Sequence, residues 1–360
     1  MEPLPPHVET TPAKLTQLPR VKLRLDRRRL VILLGLAILT IGLLLAVGGG
    51  REALAAIAGA KGEWLLLAIA LHYSGFAMRG LRWQQLLRAM GHRLTWRYCM
   101  ALLLSGWFVS ALLPARAGDL LRIGILRMTD DAHPTVPVSD SFSSIILERT
   151  VDLSALVVLG AGAGFLLLHN ELPTWVLWVY GLACVALLGL ALTVLVLPRL
   201  LHWLAAAWRQ PLWQRAVHFS IEILQSLRAL GRQPGMTVVI LLESFYIWLC
   251  DALLMWLVLK ALGVTVALGT ITFVALTVDI FAAVPFTPGG VGQIEVANAA
   301  LLALLPLTAS QITASVLLNR TISYWSFLLV SGIVTFAAGI GQLMPSVSET
   351  FGAGEDETKQ

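Results

Sequence analysis

Charge is scarce in this chain. Only 13% of its 360 residues are charged, against about 25% in an ordinary soluble domain. That scarcity excludes a water-soluble globular domain of usual composition, and no long polar stretch leaves room for one. Cysteine is nearly absent too. Cys99, Cys184 and Cys250 are an odd, scattered set without CxxC spacing, so neither a disulfide framework nor a cysteine metal site is expected. No D-x-D pair occurs, which removes the usual carboxylate signature of a metal-dependent transferase. No metal or cofactor is expected, no catalytic residue is assigned, and nothing points to nucleic acid.

What is present is apolar. Hydrophobic residues make up 57% of the chain and the mean hydropathy is +0.79. Apolar runs near the length of about 20 residues that crosses a bilayer recur throughout. The chain therefore reads as an all-α polytopic membrane protein. Residues 1–29 form a Pro-rich, then basic, N-terminal stretch expected to be disordered. Lys22, Arg24, Arg27, Arg28 and Arg29 should keep it cytoplasmic, and no cleavage pattern marks a signal peptide. Residues 30–343 form the membrane domain and residues 344–360 an acidic tail. Pro198 is expected to end one span, after which residues 199–235 carry apolar positions at three- and four-residue steps. They are read as an interfacial amphipathic connector between two halves.

Those halves, about 64–168 and 236–343, look like copies. Pro114 and Pro285, Gly118 and Gly289, Ser144 and Ser315, Arg149 and Arg320, and Thr150 and Thr321 each stand 171 positions apart. In both copies a Pro/Gly break interrupts an apolar segment and an arginine follows on the next one. Paired broken segments in two halves point to a transporter-like site at mid-membrane. The positive-inside bias is met if each broken segment is a hairpin that enters and leaves on one face. The expected architecture is thus about six full spans, two re-entrant helical hairpins and an inverted repeat.

Helix breaks inside hydrocarbon free backbone donors, and a restarted helix aims its amides and dipole at the gap. Arg116, Gly118, Asp119 and Arg122 in the first copy, and Pro288, Gly289, Gly290, Gly292, Gln293, Glu295 and Asn298 in the second, are candidate ligands for a lipid phosphate. Glu148, Arg149 and Asp152 share one helical turn, and Asn319 and Arg320 match Glu148 and Arg149. Charges this deep are costly unless paired or wetted, so the carboxylates either face substrate or clamp helices, and both readings stay open. Arg79, Arg82, Asp251 and Asp279 are accessory candidates. Arg79 and Arg82 also read as topology anchors, and Asp251 and Asp279 as proton carriers.

Four segments together resemble a known family: Arg79-Gly80-Leu81-Arg82-Trp83, Pro114-Ala115-Arg116-Ala117-Gly118-Asp119-Leu120-Leu121-Arg122, Glu148-Arg149-Thr150-Val151-Asp152, and Pro285-Phe286-Thr287-Pro288-Gly289-Gly290-Val291-Gly292-Gln293-Ile294-Glu295. They are similar to the flippase-like membrane domain found with lysylphosphatidylglycerol synthases. The resemblance implies translocation of a phospholipid with an anionic headgroup, aminoacylated or not, in a bacterial inner membrane. It also implies a lipid-modifying synthase as partner. The chain stops at Gln360, without the soluble domain of those synthases, so lipid synthesis is not expected of it. Two rivals stay open. One is an intramembrane enzyme on a polyprenyl or glycan lipid, with Asp130, Asp131 and His133 as its only cluster. The other is a proton-coupled solute carrier.

Overall fold

The computed structural model describes residues 35, 38–46, 48–112, 117–127, 135–168, 174–207, 211–284 and 287–338. Within them the chain is helical. The helices are α1 (Gly50–Ala58), α2 (Gly62–Ala89), α3 (Trp96–Leu112), α4 (Ala117–Arg127), α5 (Val138–Leu168), α6 (Thr174–Ala207) and α7 (Pro211–Gly231). The second half supplies α8 (Pro234–Ala261), α9 (Leu268–Ala282), α10 (Gln293–Leu302), α11 (Ala309–Arg320) and α12 (Phe327–Ala337). A π-helical stretch, Thr321–Ser326, joins α11 to α12 without a break. Four helices are long and apolar enough to cross a membrane: Gly62–Ala89, Val176–Val194, Pro234–Ala261 and Ala309–Ala337. A fifth exists if Ile38–Ala46 and Gly50–Ala58, bent by 103°, are one broken span. α5 is 31 residues long, but Asp140, Glu148, Arg149 and Asp152 crowd its first half.

The helix starts carry the duplication into the structure. α8 begins 172 positions after α2, α9 begins 172 after α3, and α11 begins 171 after α5. α2 and α8 are each 28 residues long and form the most extensive helix pair in the molecule. The two corresponding helices thus make the central wall. Around it α5 packs on α9 and α3 packs on α12, so each half is interleaved with the other.

Both expected breaks fold back on themselves. α3 and α4, of 17 and 11 residues, pack against each other, and both are shorter than the about 20 residues that usually cross a bilayer. Their contact depends on glycine: a Cβ on Gly118 would run into the Gly106 carbonyl oxygen. α9 and α10, of 15 and 10 residues, pair in the same way. The second turn uses three glycines in the left-handed region, Gly289 (φ 62), Gly290 (φ 66) and Gly292 (φ 84), which other residues rarely enter. The hairpins also touch: Ala111 near the end of α3 is buried with Val291 and Tyr324. Pro114, Arg116, Pro285 and Phe286 lie outside the described residues.

Two expectations change. α6 does not stop at Pro198 but runs 34 residues to Ala207. A proline removes one amide donor, and the turns on either side still close. α7 is helical and amphipathic as expected, but it does more than skirt the bundle. It buries Val217, Leu224 and Leu227 against Ile146, Leu147, Val194 and Leu197, so its apolar face is spent on α5 and α6.

Candidate functional site

Where the hairpins meet the central wall there is a cavity of about 290 Å³. Helices of both halves send side chains into it. α2 supplies His72 and Arg79, α5 Arg149, α8 Asp251, α9 Asp279, and α11 Asn319 and Arg320. Asn298 enters from the second hairpin, and Phe76, Trp107, Trp248 and Phe327 form aromatic walls. The ionisable lining is three arginines and His72 against two aspartates, a set that persists inside a membrane protein only if it is paired, hydrated or matched by an anion. Arg149 and Arg320, the duplicated arginines, both line it.

The arginines are held differently. Arg79 donates from Nη2 to Asp251 Oδ2 at 2.6 Å, and its guanidinium lies 4.7 Å from the centre of the Trp248 ring. Arg320 donates from Nε to Glu295 Oε1 at 2.6 Å and from Nη2 to the Gly289 carbonyl at 3.2 Å. Arg149 is the loosest. Its Nη2 stands 3.6 Å from Asp119 Oδ2, its side chain is 36% exposed, and its Nε has no hydrogen-bond partner among the described residues. Asn319 Oδ1 is likewise buried and unpartnered. His72, buried against Phe76 and Tyr73, places Nδ1 3.4 Å from Asp251 Oδ1.

Several sequence candidates sit beside the cavity rather than in it. Arg82 is fully buried and reaches Asp152 with both terminal nitrogens, Nη1 to Oδ1 at 2.5 Å and Nη2 to Oδ2 at 3.1 Å. Its Nη1 also donates to Ser244 Oγ at 2.8 Å, and Trp248 Nε1 donates to Asp152 Oδ1 at 2.9 Å. α2, α5 and α8 are riveted there. Arg122 is fully buried as well. It donates from Nη2 to Glu148 Oε2 at 2.8 Å, lies 3.3 Å from Asp119 and stacks 4.0 Å from the Trp83 ring centre. That fastens the first hairpin to α5. For Glu148, Asp152, Arg82 and Arg122 the geometry is that of helix clamps, since desolvated ions persist only when paired.

The second break keeps its polar groups largely to itself. The Gly292 amide donates to Glu295 Oε2 at 2.8 Å, and the Gly290 amide to the Thr287 carbonyl. Gln293 Nε2 donates to the carbonyls of Phe281 and Val284 at 3.2 and 2.9 Å. The amides of Gly290 and Gly292, expected to face an anion, are therefore taken. In the first break the Gly118 amide donates to Ser110 Oγ at 3.1 Å. The backbone of Pro288 belongs to a short 3₁₀ turn. Asp130, Asp131 and His133 lie outside the described residues, as Arg116 does. Among the described residues no His, Cys, Asp and Glu group is placed to hold a metal ion.

Sequence reasoning missed His72, Trp107 and Trp248. A lone histidine in an apolar helix is a signal that was open to reading. The two tryptophans carry none, because interface-belt and cavity tryptophans look alike in sequence.

The chain is similar to known membrane proteins. The family model of the lysylphosphatidylglycerol synthase TM region matches residues 32–331. Glycosyltransferase AglD of Haloferax volcanii is 24% identical over 92% of this chain and 56% of its own length. A UPF0104 membrane protein of Methanothermobacter thermautotrophicus is 21% identical over 86% of this chain and 96% of its own length. A second UPF0104 membrane protein from that organism is 25% identical over 75% and 83%. The chain thus spans little more than half of AglD but nearly all of the first UPF0104 protein. All three are archaeal, so they lend nothing to a bacterial rather than an archaeal membrane.

Proposed function

The chain belongs to the family of the lysylphosphatidylglycerol synthase TM region, and from that premise we propose that this multi-pass membrane protein binds a lipid by its anionic headgroup and carries it between leaflets. The observation that carries this reading is the basic cavity enclosed by both hairpins and the central wall, with Arg149 and Arg320 contributed from corresponding positions of the two halves. A phosphodiester presents acceptors to the arginines, and hydroxyls or an amine on the headgroup suit Asn319, Asn298 and the aspartates. The cavity holds a headgroup only, so the acyl chains stay in the bilayer. Movement then comes from one half rocking against the other, opposed halves opening the site to each leaflet in turn. The basic N-terminal run puts that end in the cytoplasm. In this reading the protein catalyses no covalent step, and a lipid-modifying enzyme supplies its substrate.

The test is reconstitution in liposomes with a fluorescent phosphatidylglycerol and a leaflet-accessibility assay. Wild type should exchange the lipid far faster than protein-free vesicles, and Arg149→Gln should remove most of the gain. Equal exchange by both would end the proposal.

The likeness to AglD favours one alternative, action on a lipid-linked glycan. Exchange of a polyprenyl-phosphate sugar, but not of phosphatidylglycerol, would select it.

A further inference from the structure

Among the described residues, one acid of the cavity has no direct partner. Asp251 is gripped by Arg79 and approached by His72. Asp279, one helix away on α9, lines the same cavity and has no hydrogen bond or ion pair among the described residues. Burial acts most strongly against its charge and Asp251 of α8 repels it, while Arg79 of α2 and Arg320 of α11 attract it. Arg149 of α5 shares the space. Of the other titratable groups on neighbouring elements, Glu295 of α10 is turned to Arg320, and the Tyr180 hydroxyl of α6 lies 3.1 Å from Thr277 Oγ1. His72 lies across the cavity, with its Nε2 unpartnered among the described residues.

An anionic headgroup entering this cavity needs the same arginines that Asp279 needs. Each guanidinium already faces one carboxylate, Arg79 facing Asp251, Arg149 facing Asp119 and Arg320 facing Glu295, so there is no spare cation for both Asp279 and an arriving phosphodiester. In a desolvated space an unpaired carboxylate is relieved by taking a proton. We propose that Asp279 takes up one proton when an anionic headgroup enters the cavity, so that lipid and proton bind together and leave together. The step is a protonation only. A carboxylate oxygen gains a proton from the aqueous side to which the site is open, and loses it on the side where the headgroup departs. Linkage makes the effect reciprocal: lower pH must tighten headgroup binding by the factor with which the headgroup tightens proton binding. A pH difference across the membrane then drives net lipid movement away from the acidic side. This rests on the headgroup-binding reading above and adds the energy source.

Binding of short-chain phosphatidylglycerol to the purified full-length protein, followed from about pH 8 to pH 5, tests it. The phosphodiester keeps one charge across that range, so any slope belongs to the protein. Wild type should gain affinity as pH falls, by up to about tenfold per pH unit, the ceiling for one coupled proton. Asp279→Asn should bind with no slope, and Asp279→Glu should restore it, which separates titration from a folding defect. A slope kept in Asp279→Asn but lost in His72→Gln would overturn the assignment to Asp279. Wild-type binding that ignores pH would overturn proton coupling and leave the lipid reading intact. No binding at any pH would remove both. The deacylated headgroup, glycerophosphoglycerol, is the parallel ligand. A slope seen with it as well places the coupling at the phosphate, and a slope seen only with the acylated lipid would overturn headgroup competition as its cause.

Discussion

Arg149 and Arg320 stand 171 positions apart in sequence, line one cavity, and each faces a carboxylate on the second arm of its own hairpin. The partners are Asp119 in the first half and Glu295 in the second. The pairs are unequal. Arg320 is close to Glu295 at 2.6 Å and nearly buried, whereas Arg149 stands 3.6 Å from Asp119 and is 36% exposed. One arginine is mostly structural cement with a face on the cavity. The other is mostly free to bind.

That asymmetry predicts opposite phenotypes. Arg320→Gln leaves Glu295 buried without its cation and should cost about 3–5 kcal/mol of stability. Adding Glu295→Gln should recover part of it, since the Gly292 amide can still donate to the new side-chain carbonyl. Arg149→Gln should change stability by less than about 1 kcal/mol while leaflet exchange falls at least about tenfold. Thermal unfolding in detergent beside the exchange assay reads both. Matching losses of stability in the two single variants would contradict the assignment.

The Arg82–Asp152 pair lies outside the cavity and should report chiefly on the fold, its one link to the cavity wall being the Trp248 indole. Arg82→Ala or Asp152→Ala strands a charge in a fully buried site and should cost about 3–5 kcal/mol. Arg82→Met with Asp152→Leu together should cost less than either alone, because no ion remains to desolvate. Recovery will be incomplete, since Ser244 and the Trp248 indole N–H also lose their partner. A double variant worse than both singles would show that the pair does more than clamp helices.

These pairs also mark how far the sequence could be read. The breaks, the duplicated arginines and the hairpin folding were legible because proline, glycine and arginine are rare in apolar segments and their offset repeats. Partners across helices were not. Spacing puts Glu148, Arg149 and Asp152 on one turn of α5, yet they go three ways: Glu148 to Arg122, Arg149 to the cavity, Asp152 to Arg82. Which neighbour each meets is decided by how α2, α4 and α8 pack around α5, and no local pattern encodes that. Glu295 was read as a substrate ligand for the same reason. Its spacing fits an N-terminal carboxylate on α10, but nothing in the sequence says that Arg320 and the Gly292 amide reach it first.

Alanine at the glycines of the second break should rank by surroundings. At Gly292, with φ 84, an added Cβ meets only Thr40 Oγ1 at 3.6 Å. Left-handed strain alone, about 1–2 kcal/mol, is the expected cost of Gly292→Ala. At Gly289, with φ 62, the Cβ would also press on the Tyr324 ring at 2.7 Å, and the shift would disturb the carbonyl that receives Arg320. Gly289→Ala should therefore be the more destabilising and should impair lipid exchange in proportion. Equal unfolding midpoints for the two variants would mean that the break is loose rather than packed.

The first hairpin offers the sharpest contrast, because α4 carries two glycines in opposite settings. An alanine Cβ at Gly118 would meet the Gly106 carbonyl oxygen and, at 2.6 Å, Ser110 Oγ, whereas at Gly124 it would meet nothing within 4 Å. Gly124→Ala should be neutral or stabilising by about 0.5–1 kcal/mol, since alanine is the better helix former. Gly118→Ala must push the two arms apart, and overpacking at backbone contact costs about 1–3 kcal/mol or more. The displacement also has a functional reach. α4 carries Asp119 and Arg122, so an arm moved outward slackens the Arg122–Glu148 clamp and the contact that aims Arg149 into the cavity. Gly118→Ala should accordingly lose lipid exchange even in preparations that remain folded, while Gly124→Ala keeps it. If the two alanine variants unfold at one temperature and exchange lipid alike, the arms do not touch. The hairpin packing, and the cavity wall built on it, would then be wrong.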